Sequence, residues 1–343
     1  MKKQHPKIGK LIKVCPAGQH AWYESEFGPV RKSYYQPPKR IEPGTKDFTH
    51  LIYCPFSGLG LHNGFRGDEW FQYRIDLWKK YTLQSLKNQK NQNFIYWMSF
   101  RPQEITNPLT QQIPDALKEC KFKAILSFDG CMFWDDKYPE DDLLGRLKRT
   151  LPDLTKIVED KPYVYMTILA SDDMYHEDAI DDIQKELFRL KGSLNHAKGY
   201  VYSYKTKKLA IWQPPFPERN PPFDTLMFPT EIFLDADKHY NYSGPYKDHW
   251  QVTKIFDYKR MADGHFCVGV HEQNISTHWR VIEMRNWKAI LRMVLTPYNW
   301  KRLFLRLTGR LYWVNLVQKH SYIGDEINNK KDKKDILSKF GIK

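Results

Sequence analysis

The fold turns on "YVYMTILASDDMYHEDAIDDIQKEL", residues 163–187, where an apolar, β-branched run gives way to two adjacent carboxylates, Asp172 and Asp173. Residues 163–170 read as a strand buried on both faces, because apolar side chains follow one another without the alternation of a half-exposed strand. "HEDAIDDIQKELFRL", 176–190, reads as a helix with Glu177 and Asp178 in its first turn, where negative charge suits the helix dipole. Strand followed by helix suggests a parallel α/β unit, and ligands of such sheets gather at the carboxyl ends of the strands. Asp172 and Asp173 lie just past such an end. Two close carboxylates repel unless a cation or hydrogen-bond donors satisfy them, which suits a hard divalent metal bridging a diphosphate. The alternative is plainer: Ser171-Asp172-Asp173 caps the helix that follows.

Working outward, the same grammar recurs toward the N-terminus. "FTHLIYCPF", 48–56, reads as a buried strand, followed by a loop holding Gly58, Gly60, Gly64 and Gly67. From Trp70 to about Asn88 the stripe Ile75, Trp78, Thr82, Leu86 has helical spacing, and "NFIYWMSF", 93–100, is a second strand. "KFKAILSF", 121–128, is a third, ending at Asp129-Gly130. Beyond residue 190 the alternation changes: "GYVYSYKTKKLAIW", 199–212, reads as a hairpin, and "HFCVGVHEQNISTHW", 265–279, as a short strand running into a polar turn. The expected fold class is therefore α/β, a mostly parallel sheet flanked by helices, closed by a helical, basic C-terminal segment.

Composition bounds the possibilities. The chain has 343 residues, 41% hydrophobic and 15% aromatic, enough for a large core and far from a disordered composition. Lys and Arg number 54 against 40 Asp and Glu, a net charge of +14 that would attract phosphates, nucleic acid or an anionic membrane face. Five cysteines without a C-x-x-C pair suggest neither a disulfide framework nor a zinc knuckle, and fit a reducing, cytoplasmic compartment. No apolar stretch has the length of a signal peptide or a membrane span, so neither is expected.

Four regions follow from these patterns. Residues 1–46 form a basic, proline-containing extension; 47–280 form the α/β domain; 281–323 form a basic, aromatic, helical segment; and 324–343 form a charged flexible tail. In 280–320, Arg302, Arg306 and Arg310 run beside the apolar stripe Leu303, Leu307, Leu311 and Val314, as in a helix lying on an anionic surface or packed on the domain.

Three stretches carry a resemblance. "YRIDLWKKYTLQSLKNQKNQNFIYWMSF", 73–100, resembles the opening βαβ of GT-A nucleotide-sugar glycosyltransferases; the acidic strand end resembles their D-x-D element; and "VGVHEQNIST", 268–277, resembles the V-H-x-x-N-x-S signature of the rhamnosyltransferase family. They come in the family's order and cover about residues 47–280. The chain departs from the family's T-R-L-D-x-D-D pattern at Ile168 and Ala170.

The resemblance implies a GT-A-like fold and sugar transfer, with rhamnose as the family's label, from a nucleotide-sugar donor to a glycan or lipid-linked acceptor. Asp172 and Asp173 would hold Mg²⁺ or Mn²⁺ against the donor's diphosphate, with His271 as third ligand or phosphate donor. Arg74 would reach phosphate, Asn274 sugar or phosphate, and Asp129 the nucleoside. Asp248 is the candidate general base, with Asp235, Asp237 and Asp263 as rivals. Each has a plainer alternative: a histidine making one structural hydrogen bond, an asparagine bonding its own turn, a solvated arginine, a surface acid. Two further readings compete, a transferase-like protein that binds glycans without turnover and a nucleic-acid-binding protein. The second finds no zinc-finger spacing or RRM signature to support it. The expected location is cytoplasmic, with 280–320 against the inner membrane face.

Overall fold

The computed structural model describes residues 10–14, 47–57, 67–128, 143–155, 158, 161–196, 198–212, 223–243, 252–271 and 323–343. The glycine loop 58–66, Asp129, Asp248, Asn274 and the basic segment 280–320 lie outside the described residues.

Thirteen strands are described: β1 Lys10–Val14, β2 Phe48–Pro55, β3 Ile95–Ser99, β4 Lys123–Phe128, β5 Tyr163–Ile168, β6 Met174–Tyr175, β7 Gly192–Asn195, β8 Gly199–Ser203, β9 Leu209–Trp212, β10 Asp224–Pro229, β11 Asp257–Arg260, β12 Phe266–Val270 and β13 Ile323–Glu326. Eight form one sheet in the order β1-β4-β3-β2-β5-β10-β7-β11, and every strand except β10 runs the same way. The mostly parallel sheet expected from the apolar runs is therefore present. β2 and β5 are buried along nearly their whole length, which is why neither alternates in sequence.

From β2 the chain steps through β3 to β4 on one side, then returns to place β5 on the other side of β2. The crevice between the carboxyl ends of β2 and β5 is thus the topological switch point, where open α/β sheets bind ligands.

The connection from β2 to β3 is the helix Asp68–Leu77, continued by a π-helical turn, Trp78–Thr82, and a last turn, Leu83–Lys87. All four residues of the predicted stripe, Ile75, Trp78, Thr82 and Leu86, are buried. Phe56, Phe71, Trp78 and Phe100 meet ring to ring beneath it, and the Trp78 indole N–H donates to Tyr96 Oη at 3.0 Å.

The remaining strands form a smaller sheet, β13-β9-β8-β12-β6. The predicted hairpin is β8 with β9, and β12 pairs parallel to β8 on its other edge.

Four expectations need correction. The helix expected over 176–190 is only Ala179–Lys185, and Glu186 is extended, because Phe188 must turn inward to stack on Tyr163 at 3.8 Å. Ser171-Asp172-Asp173 caps no helix: the segment enters β6, and the helix starts after Asp178. Part of the N-terminal extension is β1, which adds a parallel edge strand beside β4. The tail expected to be flexible holds β13 and the helix Lys330–Lys339, capped by Asn329 and anchored by buried Leu337 and Phe340.

Candidate active site

Three remote segments deliver the candidate residues to the switch point. Arg74 comes from the helix after β2, Asp172 and Asp173 from the turn after β5, and His271 directly after β12. Arg74 Nη1 donates to Asp172 Oδ2 at 2.8 Å, and His271 Nε2 stands 2.9 Å from that oxygen and 3.0 Å from Nη1. Arg74 Nη2 also donates to Ser171 Oγ. Arg74 is 3% exposed, so it is neither solvated nor a surface residue.

The small sheet holds the acidic turn in place. Asp173 Oδ1 accepts the Gly269 N–H at 2.9 Å, and Tyr204 Oη donates to the Asp172 carbonyl at 2.6 Å. β6 follows at once and pairs with β12, so the turn and His271 are set by one ladder.

The two carboxyls titrate apart. Burial opposes ionisation of Asp172, but the Arg74 charge and the His271 hydrogen bond outweigh it and hold this carboxyl well below its usual range. Burial, then the neighbouring charge of Asp172, push Asp173 well above its usual range. Negative charge in the pair is therefore favoured on Asp172 over Asp173.

His271 also borders a cleft of about 420 Å³ lined by Tyr73, Asp76, Leu77, Lys80, Tyr81, Tyr204, Lys205 and Lys207. Tyr81 and Tyr204 stack at 3.6 Å, Tyr204 lies parallel to the His271 ring at 6.2 Å, and Lys207 Nζ donates to Tyr81 Oη at 2.8 Å. Three lysines against one aspartate, which accepts from Gln72 at 2.8 Å, make this wall attractive to anions.

Sequence reasoning brought Arg74, Asp172, Asp173 and His271 to one place, but not Ser171, Tyr204, Gly269 or the lysines of the cleft. "YSYKTKK", 202–208, held a usable signal: two tyrosines and three lysines packed into a hairpin turn. A second cluster has no sequence signal of its own. Ser57 Oγ donates to Glu104 Oε2 and Arg101 Nη2 lies 3.2 Å from Glu104 Oε1, just past the ends of β2 and β3. Burial, opposed by Arg101, pushes the Glu104 carboxyl up to about 7. Of the rival bases, Asp235 pairs with Lys238, Asp237 with Lys148 and Asp263 with Lys198, all at the surface.

Two carboxylates and an imidazole are suitable donors for Mg²⁺ or Mn²⁺. As arranged they do not fit one, because Asp172 Oδ2 and His271 Nε2 both rest against the Arg74 guanidinium and Asp173 Oδ1 is turned to Gly269. Among the described residues no three His, Cys, Asp or Glu side chains are grouped to hold a metal.

No family model matches the chain, and no curated protein does. Solved structures similar to it include S. aureus TarS 1–349, with a TM-score of 0.35 and 12% identity over 64% of this chain. The inositol-1-phosphate CTP transferase from T. maritima gives 0.33 and 11% over 71% of this chain and 94% of its own. Mouse xyloside xylosyltransferase 1 gives 0.29 and 10% over 62% of this chain and 84% of its own. This chain spans 60% of the TarS chain. At these scores the likenesses carry no argument about activity, and the family resemblance rests on its three motifs. No helix among the described residues is long and apolar enough to cross a membrane.

Proposed function

We propose that the chain is a GT-A-type glycosyltransferase that takes a nucleotide-sugar donor and passes the sugar to a glycan or lipid-linked acceptor, with rhamnose as the sugar its motifs suggest. The observation that carries this reading is the position of Asp172. It follows β5 at the switch point and is bound to Arg74 and to His271, which borders a cleft walled by Lys80, Lys205 and Lys207.

In such a transfer an acceptor hydroxyl forms a bond to the anomeric carbon as the bond from that carbon to the nucleoside diphosphate breaks. The hydroxyl proton passes to a base, and negative charge grows on the departing diphosphate. Fixed positive groups stabilise that charge best when water is excluded. In this proposal His271 and the cleft lysines face the diphosphate, and Arg74 with Asp172 holds His271 in position. Asp248 is the proposed base, and Asp129 and Asn274 the proposed nucleoside and sugar contacts. Residues 280–320 would bring the enzyme to an anionic membrane face where a lipid-linked acceptor lies.

A panel of UDP-, GDP- and dTDP-sugars, followed by thermal shift and by donor hydrolysis, tests the reading. At least one donor should raise the melting temperature, since a ligand that binds only the folded state stabilises it. Lys80→Ala with Lys207→Ala should reduce that shift. Asp172→Asn should abolish hydrolysis in protein that still melts cooperatively. A panel without any shift, alongside steeply salt-dependent binding of RNA or DNA, would favour the nucleic-acid reading instead.

A further inference from the structure

We propose that the Arg74 guanidinium takes the place of a divalent cation at this centre, so that the protein binds nucleoside diphosphates without Mg²⁺ or Mn²⁺. What is bound rests on the transferase reading; the cation itself does not.

A metal held between Asp172 and His271 would use Oδ2 and Nε2, the two donor atoms that face each other at 2.9 Å. Arg74 Nη1 stands 2.8 Å from the first and 3.0 Å from the second, against the same pair of atoms. A bound Mg²⁺ or Mn²⁺ would need both at about 2.0–2.2 Å and would bring two further positive charges up against a guanidinium already in contact with them. Arg74 has no other hydrogen-bonding duty in view: Nη2 goes to Ser171 Oγ in the same turn, and its buried Nε has no partner. It is a buried cation assigned to one carboxylate.

The carboxylates have little freedom to rearrange around an ion. The Asp173 side chain is tied to the Gly269 N–H and the Asp172 carbonyl to Tyr204 Oη. The backbone at Gly269 passes so close to Asp172 that a Cβ there would lie 2.0 Å from its carbonyl oxygen. The turn is clamped between β12 and the hairpin, with its charge already answered by Arg74.

The test is a Mn²⁺ titration of the full chain followed by electron paramagnetic resonance, with melting curves for each variant. The wild-type protein should leave Mn²⁺ free in solution, and Asp172→Asn should change nothing. Arg74→Met should create a Mn²⁺ site, binding at least about tenfold more tightly than wild type. UDP, GDP or dTDP should raise the wild-type melting temperature equally in EDTA and in Mn²⁺. Mn²⁺ binding by wild type that Asp172→Asn weakens by about tenfold or more overturns the proposal, as does a folded Arg74→Met that takes up no Mn²⁺. Should Arg74→Met fail to fold, the wild-type and Asp172→Asn titrations still decide. If no nucleoside diphosphate shifts melting in either buffer, the transferase reading fails and the Mn²⁺ result stands on its own.

Discussion

Gly269 shows how a single missing side chain positions the site. Its backbone is not in a conformation reserved for glycine; the constraint is space. A Cβ would meet the Asp172 carbonyl oxygen at 2.0 Å and Tyr204 Oη at 2.4 Å, both of which are mutually hydrogen-bonded. Neither contact is with the free end of a flexible chain, so relief requires parting β12 from the acidic turn. Gly269→Ala should therefore destabilise the protein by about 2 kcal/mol or more, read from urea denaturation, and lower donor binding with it. Stability equal to wild type would show that the two segments are not in contact. Nothing in Val268-Gly269-Val270 announces this, because a close approach between residues 97 apart leaves no local pattern. Asp172 and Asp173 were legible for the opposite reason: two charges ending an apolar run are conspicuous without any partner. Their division of labour was not legible, since it depends on Arg74 reaching one and Gly269 the other.

At the scale of elements, β10 introduces a further buried acid. Asp224 opens the strand, paired with Asn195 on β7, and its Oδ1 accepts from the Asn195 amide. Its Oδ2 is buried without a hydrogen-bond partner, and burial, opposed by the Asn195 bond, pushes the carboxyl from 3.8 up to about 8. Between those two values the folded chain keeps a proton that the unfolded chain has lost, so stability falls as pH rises through the window and levels off above it. Asp224→Asn keeps the oxygen that Asn195 needs and removes the titration. It should be more stable than wild type by at least about 1 kcal/mol at pH 7, with the difference shrinking toward pH 4 in paired denaturation curves. A difference that does not vary with pH would mean the carboxyl is ionised in the fold.

The parallel strands β2 to β5 were readable because burial on both faces writes an unbroken apolar run. The helix is shorter than 176–190: the charges and leucines of that stretch satisfy helical spacing, yet Leu187 and Leu190 end up 46% and 38% exposed while Phe188 is taken by the core. Tertiary packing overrode local preference there.

Across the whole molecule, the last residues close the structure. Phe340 and Leu337 pack against the smaller sheet, Lys339 bonds Glu177 at 2.8 Å, and the Glu177 N–H donates to the Lys339 carbonyl at 2.9 Å. A Lys- and Asp-rich ending looks frayed in sequence because two apolar anchors among so many charges give almost no periodicity. Phe340→Ala should cost about 3 kcal/mol or more, visible as a lower melting temperature, while a surface change such as Lys334→Ala should leave it unmoved. Equal melting of both variants would place the helix outside the cooperative fold.

Arg74, Asp172 and His271 stand 98 and 99 residues apart along the chain. A nascent polypeptide leaving the ribosome would thus carry Arg74 and the acidic turn long before β12 and the closing helix could reach them. Pairings of such range are slow to form and leave sheet edges open meanwhile. Products of premature termination short of residue 330 would expose the face that Phe340 covers, which makes them natural clients for chaperones and proteases.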